Sequence, residues 1–250
     1  MIKNEIVTQL ANLGLEPGSS VLVHSSLSSL GHVEGGADAV IDALLDAVGP
    51  GGTVIAPTLT GTETDGPDHP PTFDPARTPC WTGVIPETLR QRPDAIRSIH
   101  PTHSVTATGA QASDLTRDHI RSITPCDDLS PYGKLAGTEN GVILLLGVDH
   151  RANTTLHHVE ALAGVDYHMQ GALTRATLIL DGRQIQRHYL LHDWGTPRAF
   201  NVIDPVLSER GIQRVGRVGS ATVRLIQARP MVQTVLQMLR ANPRILCRPD

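Results

Sequence analysis

The chain of 250 residues carries a formal charge of −4, with 40% hydrophobic and 18% charged residues. This composition is typical of a globular protein and excludes a disordered chain, a coiled coil and a membrane protein. No Lys/Arg block is present to bind nucleic acid or anionic lipid, and two Phe, two Trp and three Tyr are too few for stacking platforms. We therefore expect neither nucleic acid nor a membrane among its partners.

The apolar runs and the cysteines bear on location and redox state. Every apolar run is far shorter than the roughly 18 residues of a membrane span, and the N-terminus lacks a signal peptide's apolar stretch. Cys80, Cys126 and Cys247 show no CxxC spacing, which favours reduced thiols over disulfides or a thiolate zinc site. We expect a cytoplasmic protein in which residues 1–250 form a single domain, since no linker or repeat divides them.

The first third of the chain alternates helical and strand patterns. Apolar residues at helical spacing over residues 2–13 end at Gly14, which suits a helix C-terminus. Short apolar runs at 20–24 and 53–57 flank a helical pattern at 39–48, and this order implies a parallel pair of strands. Residues 58–82, rich in Gly, Pro, Thr and Asp, are predicted to be a long loop at the rim of a site.

The rest of the chain continues the alternation and then changes to hairpins. Helices are predicted at 84–92, 110–121, 153–163, 202–210 and 231–239, and strands at 104–108, at 141–147 and across 214–227. Residues 173–190 alternate around the turn Asp181-Gly182, as a hairpin does. The expected fold is α/β, with a central mixed, largely parallel sheet, flanking helices and a C-terminal region that contains a β-hairpin.

Three common catalytic and nucleotide-binding motifs are absent from the sequence. There is no GxGxxG after a strand, no GxxxxGK[ST] and no GxSxG. Their absence argues against a Rossmann dinucleotide site, a P-loop and the nucleophile elbow of the α/β-hydrolases.

Two polar loops flank predicted strands. Residues 24–31, His-Ser-Ser-Leu-Ser-Ser-Leu-Gly, follow a strand and could cradle a pyrophosphate or a polarised carbonyl, or form an ordinary serine-rich turn. Residues 97–104 contain one cation, two imidazoles and three hydroxyls before a strand. Arg97 suits a phosphate by bidentate bonding, and a surface salt bridge is the alternative.

Histidines on the predicted helix 153–163 are candidates for acid–base chemistry. His157 and Glu160 are three residues apart and share a face, as a general base and its partner would, while His158 is expected to face away and reach at most a rim. A satisfied core or surface histidine is the alternative. His188 and His192 have the spacing of a metal pair, but a strand there separates them too far for one ion.

Several of these segments together resemble the aminoglycoside N3-acetyltransferase family. The resemblance rests on residues 24–31, 97–109, 129–135, 144–147 and 153–160, and on the closing stretch 215–224. It covers nearly the whole chain. The family resemblance implies an α/β fold unrelated to the common GNAT acetyltransferases, with acetyl-CoA as cosubstrate, an aminoglycoside or other polyamine as acceptor, and no metal.

The resemblance also implies roles for individual residues. Pantetheine and phosphates would be held by His24, Ser25, Ser26, Ser28, Ser29, Leu30, Gly31, Arg97, Ser98, His103, Ser104, Val105 and Ser130. The catalytic group would comprise His157, Glu160, His168 and Asp193. The cationic acceptor would meet Asp65, Asp74, His158 and Asp193. In this hypothesis His157 deprotonates the amine, Glu160 or Asp193 orients its imidazole, and backbone donors of the serine loop stabilise the oxyanion.

The region after Gly164 departs from the family pattern and leaves other functions open. The chain is short there, and the stretch 167–170 does not match the antibiotic-resistance members. A same-fold enzyme that acylates another amine, a histidine-based metal hydrolase and a catalytically inactive CoA-binding protein are the alternatives. A homodimer is one oligomeric state compatible with the sequence.

Overall fold

A computed structural model describes residues 1–249. Within that range there are eight α-helices: α1 (Lys3–Leu13), α2 (Gly36–Val48), α3 (Val84–Arg90), α4 (Ala112–Thr116), α5 (Pro131–Gly137), α6 (Thr155–Ala163), α7 (Asp204–Glu209) and α8 (Ala228–Ala241). The predicted helix over 110–121 is shorter than expected, since α4 ends at Thr116 and a separate 3₁₀ turn follows at His119–Arg121.

The strands of the same range form two sheets. They are β1 (Ser20–Ser25), β2 (Thr53–Pro57), β3 (Thr72–Phe73), β4 (Ile96–Arg97), β5 (Val105–Gly109), β6 (Gly141–Leu146), β7 (Met169–Leu180), β8 (Arg183–His192), β9 (Gln213–Val218) and β10 (Ala221–Gln227). Seven strands make the central sheet in the order β4-β5-β2-β1-β6-β10-β9. The second sheet has the order β3-β7-β8.

The α/β fold and the mixed central sheet are confirmed, but the sheet is not largely parallel. Strand β1 pairs in parallel with β2 and with β6. The other neighbours, β2 with β5, β5 with β4, β6 with β10 and β10 with β9, are antiparallel. Within the central sheet, parallel pairing is therefore confined to the three strands β2, β1 and β6.

The central sheet is buried on both faces. Leu22, Ile143 and Ile226 belong to one hydrophobic cluster, which packs beneath α5, α6 and α8. Their strand neighbours, including Val21 and Leu144, belong to a second cluster beneath α1 and α2. This alternation explains the continuous apolar run of β6, whose successive side chains enter different cores.

Turn residues end several elements where the sequence predicts. Gly14 closes α1 with φ 102°, a left-handed conformation that favours glycine. Asp181 (φ 50°) and Gly182 (φ 75°) form the two-residue turn between β7 and β8, so the predicted hairpin is confirmed.

The fold brings polar segments together at one edge of the central sheet. Strands β1, β2 and β6 run in the same direction, so their carboxyl ends at Ser25, Pro57 and Leu146 lie at the same edge. The serine segment, residues 24–31, crosses this edge as the end of β1 and a 3₁₀ turn at Leu27–Leu30. This is the edge at which open α/β sheets bind ligands.

No helix in residues 1–249 is long and apolar enough to cross a bilayer. Cys80, Cys126 and Cys247 are all free thiols in the structure.

Candidate active site

A central cavity of about 300 Å³ opens at the carboxyl ends of β1 and β2. It lies between the serine segment, the long loop after β2, the start of α6 and the end of β8. Its lining includes His24, Ser25, Trp81, Thr82, His103, Arg151, Asn153, Thr154, His157, His192 and Trp194. The sequence expectation that the 58–82 loop borders a site is supported by Leu59, Trp81 and Thr82 in this lining.

Helix α6 provides the ionisable pair of the cavity. His157 Nδ1 lies 2.7 Å from Glu160 Oε2, as their three-residue spacing on one helix face predicts. Glu160 is fully buried, whereas His157 is partly exposed to the cavity. The second carboxylate oxygen of Glu160 accepts from Arg198 Nε at 3.0 Å. Arg198, His157 and Glu160 therefore form a continuous chain of charge-assisted hydrogen bonds.

The environment of Glu160 keeps it ionised. Burial alone would raise the pKa of Glu160, but hydrogen bonds and charges from His157 and Arg198 outweigh burial and hold that pKa below its usual value. An ionised carboxylate only accepts hydrogen bonds, so His157 Nδ1 carries a proton and donates a hydrogen bond to Glu160 Oε2. The lone pair of a neutral His157 then sits on Nε2, the nitrogen left for a ligand in the cavity.

Three further imidazoles, those of His24, His103 and His192, line the same cavity as His157. The ring centroid of His192 is 4.2 Å from that of His157, and the centroid of His103 is 6.5 Å from it. Burial lowers the pKa of His103 to about 3 and that of His24 to about 3, and burial also lowers the pKa of His192. These three residues are neutral near pH 7, and among the four imidazoles only His157 is paired with a carboxylate.

Two shallower grooves extend from the central cavity along the serine segment. The first, about 740 Å³, passes Ser26, Ser29, Asp149 and Arg224 and shares Arg151 with the cavity. The second, about 550 Å³, is lined by Ser25, Ser26, Leu27, Ser28, Gly31, His32 and Gly36, the first residue of α2. Hydroxyls at Ser26, Ser28 and Ser29 thus face long open grooves, while Leu30 is buried in the core beneath them. The predicted role of this segment in holding an extended polar ligand fits the arrangement.

Arg97 does not fit the phosphate-binding role predicted for it. Its guanidinium donates to the carbonyls of Pro75 (3.2 Å), Thr78 (2.5 Å) and Thr58 (3.0 Å) and to Ser104 Oγ (3.0 Å). These bonds use its donors to anchor the long loop after β2. Ser104 in turn donates to the Thr58 carbonyl at 2.7 Å, so both residues fasten the loop.

Other residues expected to bind cofactor or substrate are also structural. Ser98 Oγ bonds His119 Nδ1 at 2.8 Å, and Val105 lies fully buried in β5. Ser130 caps the N-terminus of α5 by accepting from Gly133 N. His158 is buried under Cys126, whose carbonyl it contacts at 2.8 Å, and its predicted place at the substrate rim is wrong.

The predicted acidic rim is only partly assembled. Asp65 accepts from Thr62 N at 2.8 Å and Asp74 from Ala76 N at 2.9 Å, so both carboxylates stabilise turns of the long loop. Asp193 borders a small cavity of about 290 Å³ with Glu63 and Trp194, beside the central cavity. Its side chain accepts from Gly195 N, and orientation of His157 falls to Glu160 instead.

His168, considered as a second catalytic histidine, occupies a different setting. It is buried, and its Nδ1 lies 3.0 Å from the carbonyl of Val165 at the end of α6. Burial lowers its pKa. His168 therefore supports the loop between α6 and β7 rather than facing a ligand.

Several side chains at the site are not predicted from the sequence. Arg198 is far from α6 in the chain and no motif marks it. Trp81 and Trp194, both of the chain's tryptophans, stand half-exposed at the mouth of the cavity. Trp81 is fixed by its indole N–H, which donates to the Gly61 carbonyl at 2.9 Å. Trp194 directly follows Asp193, which the sequence predicts to be part of the site, and this adjacency is the one sequence signal that could have identified the tryptophan.

Comparison with known proteins gives a consistent result. The family described as aminoglycoside 3-N-acetyltransferase matches residues 22–240. The chain is 39% identical over 249 residues to aminoglycoside N(3)-acetyltransferase IV of a Salmonella species, a match that covers 99% of this chain and 90% of the relative. A crystal structure of a histidine-to-alanine mutant of aminoglycoside acetyltransferase AAC(3)-IVa in complex with a gentamicin superposes with a TM-score of 0.85 at 37% identity, covering 99% of this chain and 92% of that one. The binary complex of AAC-IIIb with CoASH superposes with a TM-score of 0.83 at 29% identity, covering 100% and 99% of the two chains.

Proposed function

The chain belongs to the aminoglycoside 3-N-acetyltransferase family, and we propose that it transfers the acetyl group of acetyl-CoA to the 3-amino group of an aminoglycoside by direct attack, with His157 as general base. The observation that carries the proposal is the Arg198–Glu160–His157 chain, which opens onto the central cavity.

The chemistry of the reaction explains why such a chain is needed. An aliphatic amine near neutral pH is mostly ammonium and has no lone pair with which to attack a thioester. Glu160 fixes the proton of His157 on Nδ1, which leaves the Nε2 lone pair to take a proton from the ammonium group. The carboxylate also stabilises the imidazolium that forms. Glu160 is thus a positioning residue and His157 the catalytic one.

The grooves along the serine segment suit coenzyme A. Pantetheine is a long, narrow chain of amides, and the hydroxyls of Ser26, Ser28 and Ser29 offer hydrogen bonds along such a path. Arg151 and Arg224 lie beside the first groove, paired with Asp149 and Asp204, and a phosphate bound there would compete with these carboxylates for the two guanidinium groups. AAC-IIIb, which has the same fold over its whole length, binds CoASH.

The other side of the cavity suits a polycationic sugar. Glu63 and Asp193 flank the small cavity next to Trp194, and the formal charge of −4 favours encounter with a cation. The tryptophan faces offer apolar and cation–π contact to sugar rings that carry ammonium groups. The gentamicin complex of AAC(3)-IVa supports an aminoglycoside as the acceptor.

Steady-state kinetics of thiol release tests the proposal. The wild-type protein is expected to release thiol from acetyl-CoA with aminoglycosides and to be far slower with simple amines. His157→Ala is expected to lower kcat by about 10²–10⁴-fold while leaving acetyl-CoA affinity nearly unchanged, because it removes only the base. His168→Ala is the matched control, with a kcat close to wild type. A wild-type kcat in His157→Ala, or a preference for simple amines, would overturn the assignment.

A further inference from the structure

His103 is a second imidazole that borders the central cavity beside His157. It lies in the turn before β5, lines the cavity and is otherwise buried. Its ring stands edge-on to that of His157, at an interplanar angle of 85° and a centroid distance of 6.5 Å. At this distance the two rings are close to edge-to-face contact, so both can reach one reacting group that lies in the cavity beside them.

The hydrogen bonds around His103 define which of its nitrogens carries the proton. His100 Nδ1 accepts the backbone N–H groups of His103 (3.1 Å) and Thr102 (3.3 Å), and so is already occupied. The Thr102 hydroxyl lies nearer to His103 Nδ1, at 2.9 Å, than to His100 Nδ1, at 3.3 Å. With His100 Nδ1 so occupied, we assign the hydroxyl as the donor to His103 Nδ1, and in this assignment a neutral His103 carries its proton on Nε2.

We propose that His103 is a second catalytic residue, whose Nε2–H donates a hydrogen bond to the carbonyl oxygen of the acetyl thioester and stabilises the oxyanion of the tetrahedral intermediate. This inference rests on the proposed function, since it assigns a further group to the same reaction. It adds a side-chain donor to the backbone donors that the sequence led us to assign to the oxyanion.

Three backbone donors of the serine segment are already hydrogen-bonded within the protein. Ser26 N donates to the Leu146 carbonyl at 2.9 Å, and Ser29 N donates to the Ser26 carbonyl at 3.2 Å. Gly31 N is likewise directed at the Ser28 carbonyl, at 3.4 Å. The Nε2–H of His103 offers a side-chain donor in addition to the backbone groups that remain.

The low proton affinity of His103 is compatible with this role. Burial, the neighbouring His157 and His119 lower the pKa of His103 to about 3. It therefore stays neutral beside a cationic acceptor and does not compete with His157 for the proton. A neutral imidazole that polarises a carbonyl is an established catalytic device in other enzymes.

Acetyl transfer through these two histidines conserves atoms and charge. His157 takes one proton from the substrate ammonium, and the neutral amine forms a C–N bond to the thioester carbon while the carbonyl π electrons move to oxygen, next to His103. Collapse of the intermediate breaks the C–S bond, and the electron pair leaves with sulfur. The imidazolium of His157 protonates the thiolate, and the second proton of the amine nitrogen passes to solvent. The products are the amide, free CoA thiol and one proton.

Two variants of His103 separate its hydrogen bond from its packing. His103→Phe keeps a ring but has no donor, and we expect kcat to fall by about 10²–10³-fold with little change in the KM for acetyl-CoA. His103→Gln places an amide N–H near the position of Nε2 and is expected to recover a large part of the loss. Circular dichroism establishes that each variant is folded.

A spectroscopic measurement reads the same bond without turnover. In the wild-type protein, the infrared carbonyl band of bound [1-¹³C]acetyl-CoA is expected at lower frequency than in solution, and in His103→Phe it should return towards the solution value. An unchanged band, or a wild-type kcat in His103→Phe, overturns the proposal for His103. Because the band is measured without an amine substrate, it remains informative if the protein acetylates a different amine. If the protein does not bind acetyl-CoA, both the proposed function and the role of His103 are refuted.

Discussion

Replacing Glu160 by glutamine should disable His157 while preserving its surroundings. Arg198 cannot lose its proton, so in the Glu160→Gln variant the amide carbonyl oxygen must take the place of the carboxylate oxygen that accepts from Arg198. The amide NH₂ then faces His157 Nδ1, which becomes an acceptor. The proton of His157 moves to Nε2, and the lone pair that faced the cavity is lost.

The size of this effect follows from the two interactions removed. Returning the proton to Nδ1 in this variant would break the new hydrogen bond and set two donors, His157 Nδ1–H and the amide NH₂ of the introduced glutamine, against each other. In addition, the imidazolium formed during the reaction loses the Glu160 carboxylate, which lies 2.7 Å from His157 Nδ1 in the wild-type protein. Together these cost about 3–5 kcal/mol, which corresponds to a fall in kcat of about 10²–10⁴-fold.

The assay is thiol release at saturating acetyl-CoA, with urea unfolding to monitor stability. Asp118→Asn is the control, since it disrupts the 2.6 Å pair with Lys134 outside the cavity and should keep the wild-type kcat. A Glu160→Gln enzyme with kcat within about threefold of wild type, a difference below about 1 kcal/mol, would refute the tautomer argument.

The hydrogen bonds and pKa values lead to three more predictions. Arg97→Met should lower the free energy of unfolding by about 3 kcal/mol, because the loop carbonyls lose charge-assisted hydrogen bonds. The same variant should bind CoA with an unchanged Kd in calorimetry. A large loss of CoA affinity in a stably folded variant would instead support Arg97 as a phosphate ligand. Thr102→Val should reduce kcat less than His103→Phe does, since it frees the tautomer of His103 without removing the ring; an equal or larger kcat than wild type would contradict this. The free energy of unfolding should decrease as the pH falls from about 6.5, the pKa of a histidine in the unfolded chain, towards about 3, the pKa of His24 and His103 in the folded protein. Over that range the two histidines take up protons only in the unfolded chain, which gives a slope of up to about 1.4 kcal/mol per pH unit for each. Equal free energies from urea denaturation at both ends of the range would contradict this prediction.

Hydrophobic periodicity was sufficient to predict most of the fold. The helical spacing that ends at Gly14, the apolar run of β6 and the alternating hairpin around Asp181 each correspond to an element of the structure. The strand directions at the sheet edges were not predictable, because antiparallel and parallel strands bury similar side chains. Strands β3 and β4 were missed since each has two residues, too few for any period.

The candidate site was predictable only where its residues are close in the chain. His157 and Glu160 share one turn of α6, so their spacing already implies contact. Arg198 meets Glu160 through tertiary folding alone, and nothing local indicates it. Conversely, Arg97 has the chemistry of a phosphate ligand, but the structure directs its donors to carbonyls of the preceding loop, a contact that composition cannot reveal.

The most direct test of the central claim is the identity of the product formed from acetyl-CoA and gentamicin. Mass spectrometry and heteronuclear NMR of the purified product locate the acetyl group, and thiol release gives the stoichiometry. We predict a single acetyl group on the 3-amino nitrogen, one thiol released per product, and no detectable product in the same time with His157→Ala. An acetyl group on another nitrogen, or no acetylated product from the wild-type protein, would contradict the account.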